Sequence, residues 1–543
     1  MPLRSRTVVE IWSPGLVGVG LILIGLGIAF RWANLGQVYW HDEAYTALRL
    51  SGFTGQELNQ HLFRGEVVSV AQVMDYQWPN SVRSIWETVR ALAIDDAQHP
   101  PVYYLLAWLW VKTFGASIPA IRSLSVIISC LSLPAMYGWC QELFRPTRWA
   151  VSSYPQLQVD AKLVGGFAVL ILALSPFHIL YAQEAREYAL WILLTIVINA
   201  LFWRGLRGRG WGNWLAYGSC LTLGLYTFPL TGFVSVGHGF YLLLMNRQKL
   251  QAWGVSTLIS FGLFAPWLYI LVTTWNVTGA TWTALPISQA NLWQAMGLNL
   301  VRVFVWTDDS FDLSTGIIGL LFVVLLILLV ASIYTLWRTT PPCIWLFLLI
   351  LAGATFLPLF LPDLFWGGQR STSGRYLIPT ILVIEITVAY FLAWHVSRIQ
   401  PSQRILGWTM TGLVIGLGLV SGVAITATET SWIKLLNYSF PQIYRQVNQH
   451  PQPLVIGLSG NINTGTMLAL AHGITPQAQF VLIDAWDSNQ PPELPIIPDG
   501  QEPIFFLNPT PELLTGLEET QNLAGTLIFQ DKFLQLWQLH RHN

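Results

Sequence analysis

Two adjacent carboxylates, Asp42 and Glu43, lie just beyond the end of an apolar run at residues 11–30, with His41 before them. The run is about long enough to cross a bilayer, so the acids are expected at the mouth of a membrane protein. Neighbouring residues on a helix are about 100° apart, so one carboxylate can face a substrate while the other braces it or binds something else. A carboxylate over a cavity suits general-base catalysis. The alternative is that both acids are solvated charges that cap a helix.

His99 stands before two prolines, Pro100 and Pro101. The prolines exclude helix at this point and favour an extended turn, which would hold His99 rigidly. Support of a donor, an acceptor or a metal is one interpretation, and a hydrogen-bonding or capping role is the other.

Three ionisable residues, Glu184, Arg186 and Glu187, are compressed between two apolar segments. Such residues at a membrane boundary are costly unless they pair or face a wet cavity, which makes this loop a candidate site. A salt bridge that only pins the turn would explain the same residues.

Residues 367–376 form a loop rich in glycine, serine and threonine that contains Arg370, Arg375 and Tyr376. Guanidinium groups with hydroxyl neighbours are suitable donors for a phosphate at the membrane surface. Non-specific contact with lipid headgroups is the alternative.

The composition indicates an integral membrane protein, because 53% of the residues are hydrophobic and only 10% are charged. The 28 basic and 28 acidic residues cancel, so nucleic-acid binding is not expected. The four cysteines lack metal-ligand spacing and are interpreted as packing residues.

Eleven membrane spans are predicted when the aromatic segment 102–114, which is too short to cross, is placed as an interfacial helix. The spans are expected near 11–30, 120–140, 163–181, 188–203, 213–229, 231–245, 252–273, 315–337, 342–361, 376–396 and 405–427. Most basic residues of short loops, including Arg4 and Arg6, then fall in the cytoplasm, as the positive-inside rule requires. The first outer loop and the tail fall outside.

The predicted fold class is an all-α polytopic membrane protein with a small C-terminal α/β domain outside the membrane. The expected domains are residues 1–429, including a first outer loop at 31–119 that carries the acidic motif, and residues 430–543. In the tail, 453–459, 479–484 and 503–507 are predicted strands, and 464–471 and 511–519 are predicted helices.

Four motifs in this order resemble the GT-C glycosyltransferases of the family 39 type, which are related to protein O-mannosyltransferases and lipid A aminoarabinose transferases. The resemblance covers about residues 10–400, and the tail matches no family. The motifs are Tyr39-Trp40-His41-Asp42-Glu43-Ala44, His99-Pro100-Pro101-Val102-Tyr103-Tyr104-Leu105-Leu106, Ser175-Pro176-Phe177-His178 with Gln183-Glu184-Ala185-Arg186-Glu187-Tyr188, and Arg375-Tyr376-Leu377.

The resemblance implies a GT-C fold and a polyprenyl-phosphate-linked sugar donor. It implies that Asp42 is the base and that either Glu184 or Glu187 is the second acidic site residue. It also makes Arg186, Arg370 and Arg375 candidates for binding the lipid phosphate. Asp42, Glu43 and Glu184 could share a divalent cation, and the sequence leaves that question open.

The sequence therefore predicts an enzyme of the bacterial plasma membrane, a hexosyl- or pentosyltransferase with a cytoplasmic N-terminus and an extracytoplasmic C-terminal domain. It would move a sugar, with inversion, to a hydroxyl group of a lipid, glycan or protein. A departing lipid phosphate needs cations rather than a proton, so a single base suffices. The alternatives are a transporter or a lipid-carrier-binding protein without transferase activity.

Overall fold

The computed structural model describes residues 14–145, 159–208, 210–275, 281–308, 316–460, 462–485, 494–498 and 500–541. The predicted cytoplasmic residues Arg4 and Arg6 lie outside these ranges. The chain divides into two compact units. The helical unit comprises Met1–Asn34, Ala97–Val102 and Ser125–Ala427, and the sheet unit comprises Leu35–Asp96, Tyr103–Leu124 and Thr428–Asn543.

The helical unit consists mainly of long apolar helices. The helices that lie wholly or mostly in it are Pro14–Trp32, Ile118–Phe144, Ala161–Leu174, Pro176–Ala182, Tyr188–Arg207, Gly212–Leu225, Thr231–Met245, Leu250–Thr273, Gln289–Phe304, Gly316–Thr339, Pro342–Trp366, Ile378–Val396 and Pro401–Ala427.

Eight helices in the described part of the chain are long and apolar enough to cross a membrane, or nine if a bent pair is one span. The chain is thus an integral membrane protein, and the predicted fold class is confirmed. The predicted count of eleven spans is not confirmed. Two of the predicted spans, Gly212–Leu225 and Thr231–Met245, are helices of only 14 and 15 residues.

The bent pair is a consequence of one proline. Helix Ala161–Leu174 stops before Pro176, which begins helix Pro176–Ala182 at an angle of 59° to it. Proline lacks the N–H that would continue the first helix, and its fixed φ suits the first position of the second. The loop that starts at Gln183 follows directly after the second of these helices, whose residues are all buried.

The first helix packs closely against Ala161–Leu174, and Gly27 makes the approach possible. A Cβ atom at Gly27 would lie 2.5 Å from the backbone oxygen of Ala173. The same backbone oxygen accepts a hydrogen bond from Arg31 Nη1 at 2.5 Å, and Arg31 Nη2 donates to the oxygen of Leu172 at 2.7 Å. The buried guanidinium is thus satisfied by carbonyl groups that a larger residue at position 27 would displace.

The sheet unit contains six strands. They are β1 (Arg64–Ser69), β2 (Leu454–Leu458), β3 (Gln479–Ile483), β4 (Ile504–Leu507), β5 (Leu523–Gln530) and β6 (Gln535–Arg541). Their spatial order is β1-β3-β2-β4-β6-β5. Strands β3, β2 and β4 are parallel, and the strands on both sides are antiparallel to them.

Helices cover both faces of this sheet, as the apolar runs of β2, β3 and β4 require, since parallel strands are buried on both sides. The helices of this unit are His41–Ser51, Gly55–Leu62, Val70–Met74, Ile85–Asp95, Val102–Phe114, Phe440–Val447, Asn463–Leu470 and Pro511–Gln521. Ala44 and Leu48 of the first of these helices share a core with Val455, Phe480 and Phe505 on one sheet face. The helix that begins with the acidic motif is therefore built onto the sheet.

The three predicted tail strands and both predicted tail helices are confirmed. Strands β1, β5 and β6 were not predicted. The sheet unit groups most of the first outer loop with the tail, because β1 of that loop pairs with β3.

Gly27→Val tests the close packing of the first helix. The added methyl groups meet the backbone of Ala173, so the free energy of unfolding should fall by about 1–3 kcal/mol, the usual cost of overpacking. Gly25→Val is the matched control, because no atom lies within 4 Å of a Cβ at that position. Thermal unfolding of both purified variants in detergent measures the difference, and equal melting temperatures would contradict the packing described above.

Candidate functional site

The acidic motif occupies the first turn of helix His41–Ser51 in the sheet unit. Partial positive charge at a helix N-terminus favours the ionised form of carboxylates in this turn. Asp42 is half-buried, whereas Glu43 is fully buried. The two adjacent acids therefore have different surroundings, and of the two only Asp42 keeps contact with solvent.

Glu43 is bound by Arg122, whose Nε and Nη2 donate to the two carboxylate oxygens at 2.7 and 2.5 Å. The same guanidinium donates from Nη1 to the backbone oxygens of Leu35 and Gln37, and from Nη2 to that of Val38, each at 2.8 Å. A guanidinium has five N–H donors, and all five are used here. Arg122 thus fixes both Glu43 and the chain that leads into the acidic motif.

Lys434 is a second cation on Glu43, with Nζ 3.2 Å from Oε2. The side chains of Lys434 and Glu43 are 1% and 0% exposed. Burial of His472 lowers the pKa of its imidazole to about 3, so this nearby ring stays neutral. The backbone oxygen of Glu43 also accepts a hydrogen bond from the Tyr39 hydroxyl at 2.8 Å. Glu43 is therefore held from several sides, as a bracing residue would be.

In the helical unit, the loop from Gln183 to Tyr188 joins helices Pro176–Ala182 and Tyr188–Arg207, and all six of its residues are buried. Gln183 Nε2 donates to the backbone oxygens of Phe30 and Ala33 at 2.8 and 2.6 Å. The loop is thereby attached to the end of the first helix.

Within this loop, Arg186 and Glu187 form a cluster with His99. Arg186 Nη2 lies 2.7 Å from His99 Nε2, and Arg186 Nε lies 3.4 Å from Glu187 Oε2. Glu187 Oε1 is 3.5 Å from His99 Nε2. Because a guanidinium only donates, the shorter contact makes His99 Nε2 the acceptor. His99 and Arg186 are therefore hydrogen-bonded to each other.

Arg375 and Arg186 lie against the same aromatic ring. The guanidinium carbons of Arg375 and Arg186 are 5.5 and 5.8 Å from the centre of the Tyr188 ring. Arg375 is also 5.5 Å from the ring of Tyr376, which stacks on Phe228 with 5.9 Å between centroids. The helical unit thus brings two of the three candidate arginines together in an aromatic setting, where cation–π attraction helps to hold them.

Arg370 has a different partner. Its Nη1 donates to Asp363 Oδ1 at 2.9 Å, and the backbone N–H and hydroxyl of Ser371 donate to the other oxygen of this carboxylate at 2.7 and 2.8 Å. Asp363 is buried, so its charge balances that of Arg370 and fixes the loop. Arg370 is consequently a weaker candidate for binding a phosphate than Arg375.

Glu184 is fully buried in the same loop as Arg186. Among the residues that the structure describes, no group of three or more His, Cys, Asp or Glu side chains is arranged to hold a metal ion.

The structure therefore brings together His99, Arg186, Glu187, Arg375 and Tyr376 in the helical unit, with Glu184 in the same loop as Arg186. It places Asp42 and Glu43 in the sheet unit. Sequence reasoning missed three bracing residues, Arg122, Lys434 and Asp363. Only Arg122 gave a signal, since an arginine inside the predicted span 120–140 needs a partner.

Arg122→Ala should lower the free energy of unfolding by about 3–5 kcal/mol, because it leaves Glu43 buried beside only one cation. Arg64→Ala removes an arginine of the same unit that is 58% exposed and paired with an exposed Glu66, and it should cost less than about 1 kcal/mol. Thermal melts of the two detergent-solubilised variants compare these losses. Similar melting temperatures would show that the Arg122 network is dispensable.

Solved structures similar to this one include two of ArnT, a lipid A aminoarabinose transferase, from Cupriavidus metallidurans. The apo structure is 12% identical with a TM-score of 0.53, and the structure bound to undecaprenyl phosphate is 14% identical with a TM-score of 0.51. Each match covers 97% of this chain and 98% of the other. An oligosaccharyltransferase from Archaeoglobus fulgidus, tethered to an acceptor peptide, is 12% identical over 86% of this chain and 64% of its own, with a TM-score of 0.48.

No protein-family model matches the sequence, and no curated protein matches it. The likeness is thus one of fold, and it confirms at that level the resemblance that the four sequence motifs indicated. The chain has the fold of the GT-C glycosyltransferases.

Proposed function

We propose that the protein is a membrane glycosyltransferase that moves a sugar from a polyprenyl-phosphate-linked donor to an acceptor hydroxyl group. The fold shared with ArnT, one of whose structures contains undecaprenyl phosphate, supports this class of donor. The observation that carries the proposal is the placement of Arg186 and Arg375 against one ring, that of Tyr188.

Two guanidinium groups held in this way suit the phosphate of the donor. Each presents a planar set of donors that matches phosphate oxygens, and neither can lose its charge. His99 contacts Arg186 and the ring of Tyr376 contacts Arg375, so each guanidinium has a neighbour that helps to orient it. The ring of Tyr376, which is half-buried beside Arg375, offers an apolar face on which an isoprenoid chain or a sugar ring can pack.

Asp42 is the proposed base. Its carboxylate takes the proton of the acceptor hydroxyl while that oxygen attacks the anomeric carbon of the sugar. The bond between the anomeric carbon and the phosphate oxygen breaks on the opposite side, so the configuration inverts. The electron pair of that bond leaves with the polyprenyl phosphate.

The leaving group explains why one carboxylate is enough. A glycosidase protonates its leaving group because an alkoxide departs badly, whereas a phosphate monoester is stable as an anion and needs only positive charge nearby. Glu43, paired with Arg122 and Lys434, holds the Asp42 turn in this scheme and is not a second acid.

The proposed location is the bacterial plasma membrane, with the N-terminus in the cytoplasm and the reaction on the outer face. The acceptor would be a lipid, glycan or protein, and the sugar a hexose or pentose.

Asp42→Asn should lower the rate of sugar transfer by about 10²–10⁴-fold, the usual contribution of a general base, while the melting temperature stays unchanged. Asp75→Asn, at an exposed aspartate of the same unit, is the control and should retain full activity. The measurement is transfer of radiolabelled sugar from a panel of synthetic polyprenyl-phosphate sugars in proteoliposomes that contain membrane and protein acceptors. Full turnover by Asp42→Asn would exclude Asp42 as the base.

Arg375→Gln and Arg186→Gln should each lower the rate of transfer by about 10²–10³-fold, as loss of a preorganised charge at a leaving group does. Arg370→Gln should lower it much less, because Arg370 is held by a direct 2.9 Å hydrogen bond to Asp363, whereas the contact of Arg186 with Glu187 is longer, at 3.4 Å. Binding of undecaprenyl phosphate to each purified variant separates loss of affinity from loss of catalysis. A larger effect at Arg370 than at Arg375 would contradict the assignment of the phosphate site.

A further inference from the structure

The helix that begins with the acidic motif does not cap its own N-terminus. Trp40, the residue before the helix, makes no capping hydrogen bond with its side chain. Instead, the backbone N–H of His41 donates to Oδ1 of Asn437 at 2.7 Å, from 396 positions away in the sequence. The orphan N–H at the start of a helix is thus satisfied by the segment Trp432–Asn437.

A second contact fixes the His41 ring. Its Nδ1 lies 3.1 Å from the backbone oxygen of Ile462, and because a carbonyl only accepts, the proton is on Nδ1. The space around the ring is closed as well. A Cβ atom at Gly465 would lie 2.5 Å from this nitrogen, so the helix Asn463–Leu470 comes as near to His41 as a residue without a side chain allows.

The residue after Asp42 is held by the same distant segment. Lys434 lies within Trp432–Asn437 and contacts Glu43, whose carboxylate also binds Arg122. A buried lysine is costly to desolvate, and here its charge is matched by a carboxylate of the acidic motif. Asp42 therefore lies between two neighbours, His41 and Glu43, which are both tied to residues 432–437.

We infer that Asn437 and Lys434 are positioning residues for the carboxylate of Asp42, so that the C-terminal segment sets the geometry of the catalytic turn. The inference rests on the proposed role of Asp42 as base. The C-terminal segment would then affect the reaction rate directly, because a displacement of about 1 Å in a catalytic group can lower the rate about 10²-fold.

The test uses two pairs of variants of the full chain in detergent or nanodiscs. Asn437→Leu removes the acceptor of the His41 N–H, whereas Asn437→Asp keeps an oxygen at that place. Lys434→Met removes the cation on Glu43, whereas Lys434→Arg keeps it. Arg445→Met is the control, since Arg445 follows this segment closely but is 62% exposed and pairs with the exposed Glu429.

The first measurement is hydrogen–deuterium exchange and needs no substrate. Amides of residues 41–46 should exchange about fivefold faster in Asn437→Leu and Lys434→Met, as expected for loss of one helix cap, with the rest of the chain unchanged. Asn437→Asp, Lys434→Arg and Arg445→Met should match the parent protein. Unchanged exchange in Asn437→Leu and Lys434→Met, or a change spread over the whole chain, would overturn the inference whatever the activity.

The second measurement is the rate of sugar transfer. In Asn437→Leu and Lys434→Met, kcat should fall about 10²-fold while KM for the polyprenyl-phosphate sugar stays constant, and Lys434→Arg should restore most of kcat. Unchanged kcat in Asn437→Leu and Lys434→Met, or a fall in kcat of the same size in Lys434→Arg, would also overturn it. If the parent protein transfers no sugar, the proposed function fails, whereas the exchange data still decide whether this segment holds the turn.

Discussion

The contact between Arg122 and Glu43 is the constraint on which the acidic motif depends. Both side chains are fully buried, so each would be costly alone. The pair is stable because every N–H of the guanidinium has an acceptor, three of them backbone carbonyls of residues 35–38. One interaction thus joins the entry of the motif, its second carboxylate and the start of helix Ile118–Phe144. These contacts also explain why Glu43 differs from Asp42, since a carboxylate that is bound in this way cannot exchange protons with a substrate.

The elements that the sequence predicted well are those with a strong local pattern. Strands β2, β3 and β4 are apolar runs between turn residues, and burial on both faces requires such runs. Strand β1 was not predicted, because Arg64–Ser69 contains an arginine and a glutamate. The strand lies at the edge of the sheet, where charged residues are tolerated. Of the two spans predicted at 213–229 and 231–245, the second is a helix with the predicted bounds, whereas the first ends at Leu225, before a turn that contains Pro229.

At the candidate site too, the sequence identifies local patterns but not distant side-chain partners. The loop containing Glu184, Arg186 and Glu187 could be recognised from the sequence, because ionisable residues between apolar helices are costly without partners. Their partners could not, since His99 is 87 positions from Arg186 and Lys434 is 391 positions from Glu43. Residues 367–376 contain no acid, and yet Asp363, just before them, folds back to neutralise Arg370. The candidate site residues therefore lie close together in sequence, whereas most of the residues that hold them in place are distant.

The pairing of β1 with β3 has a consequence for the membrane topology. Two strands of one sheet lie in the same aqueous phase, so the chain between Ser69 and Gln479 crosses the bilayer an even number of times. Eight single helices of the described residues qualify as spans, and seven of them follow β1. With each of those seven crossing once, an odd number of further crossings must come from the bent pair 161–182 and the shorter helices Gly212–Leu225 and Thr231–Met245. Either one or all three of these elements then cross, so the pairing of β1 with β3 restricts the total for the described residues, with Pro14–Trp32 included, to nine or eleven crossings.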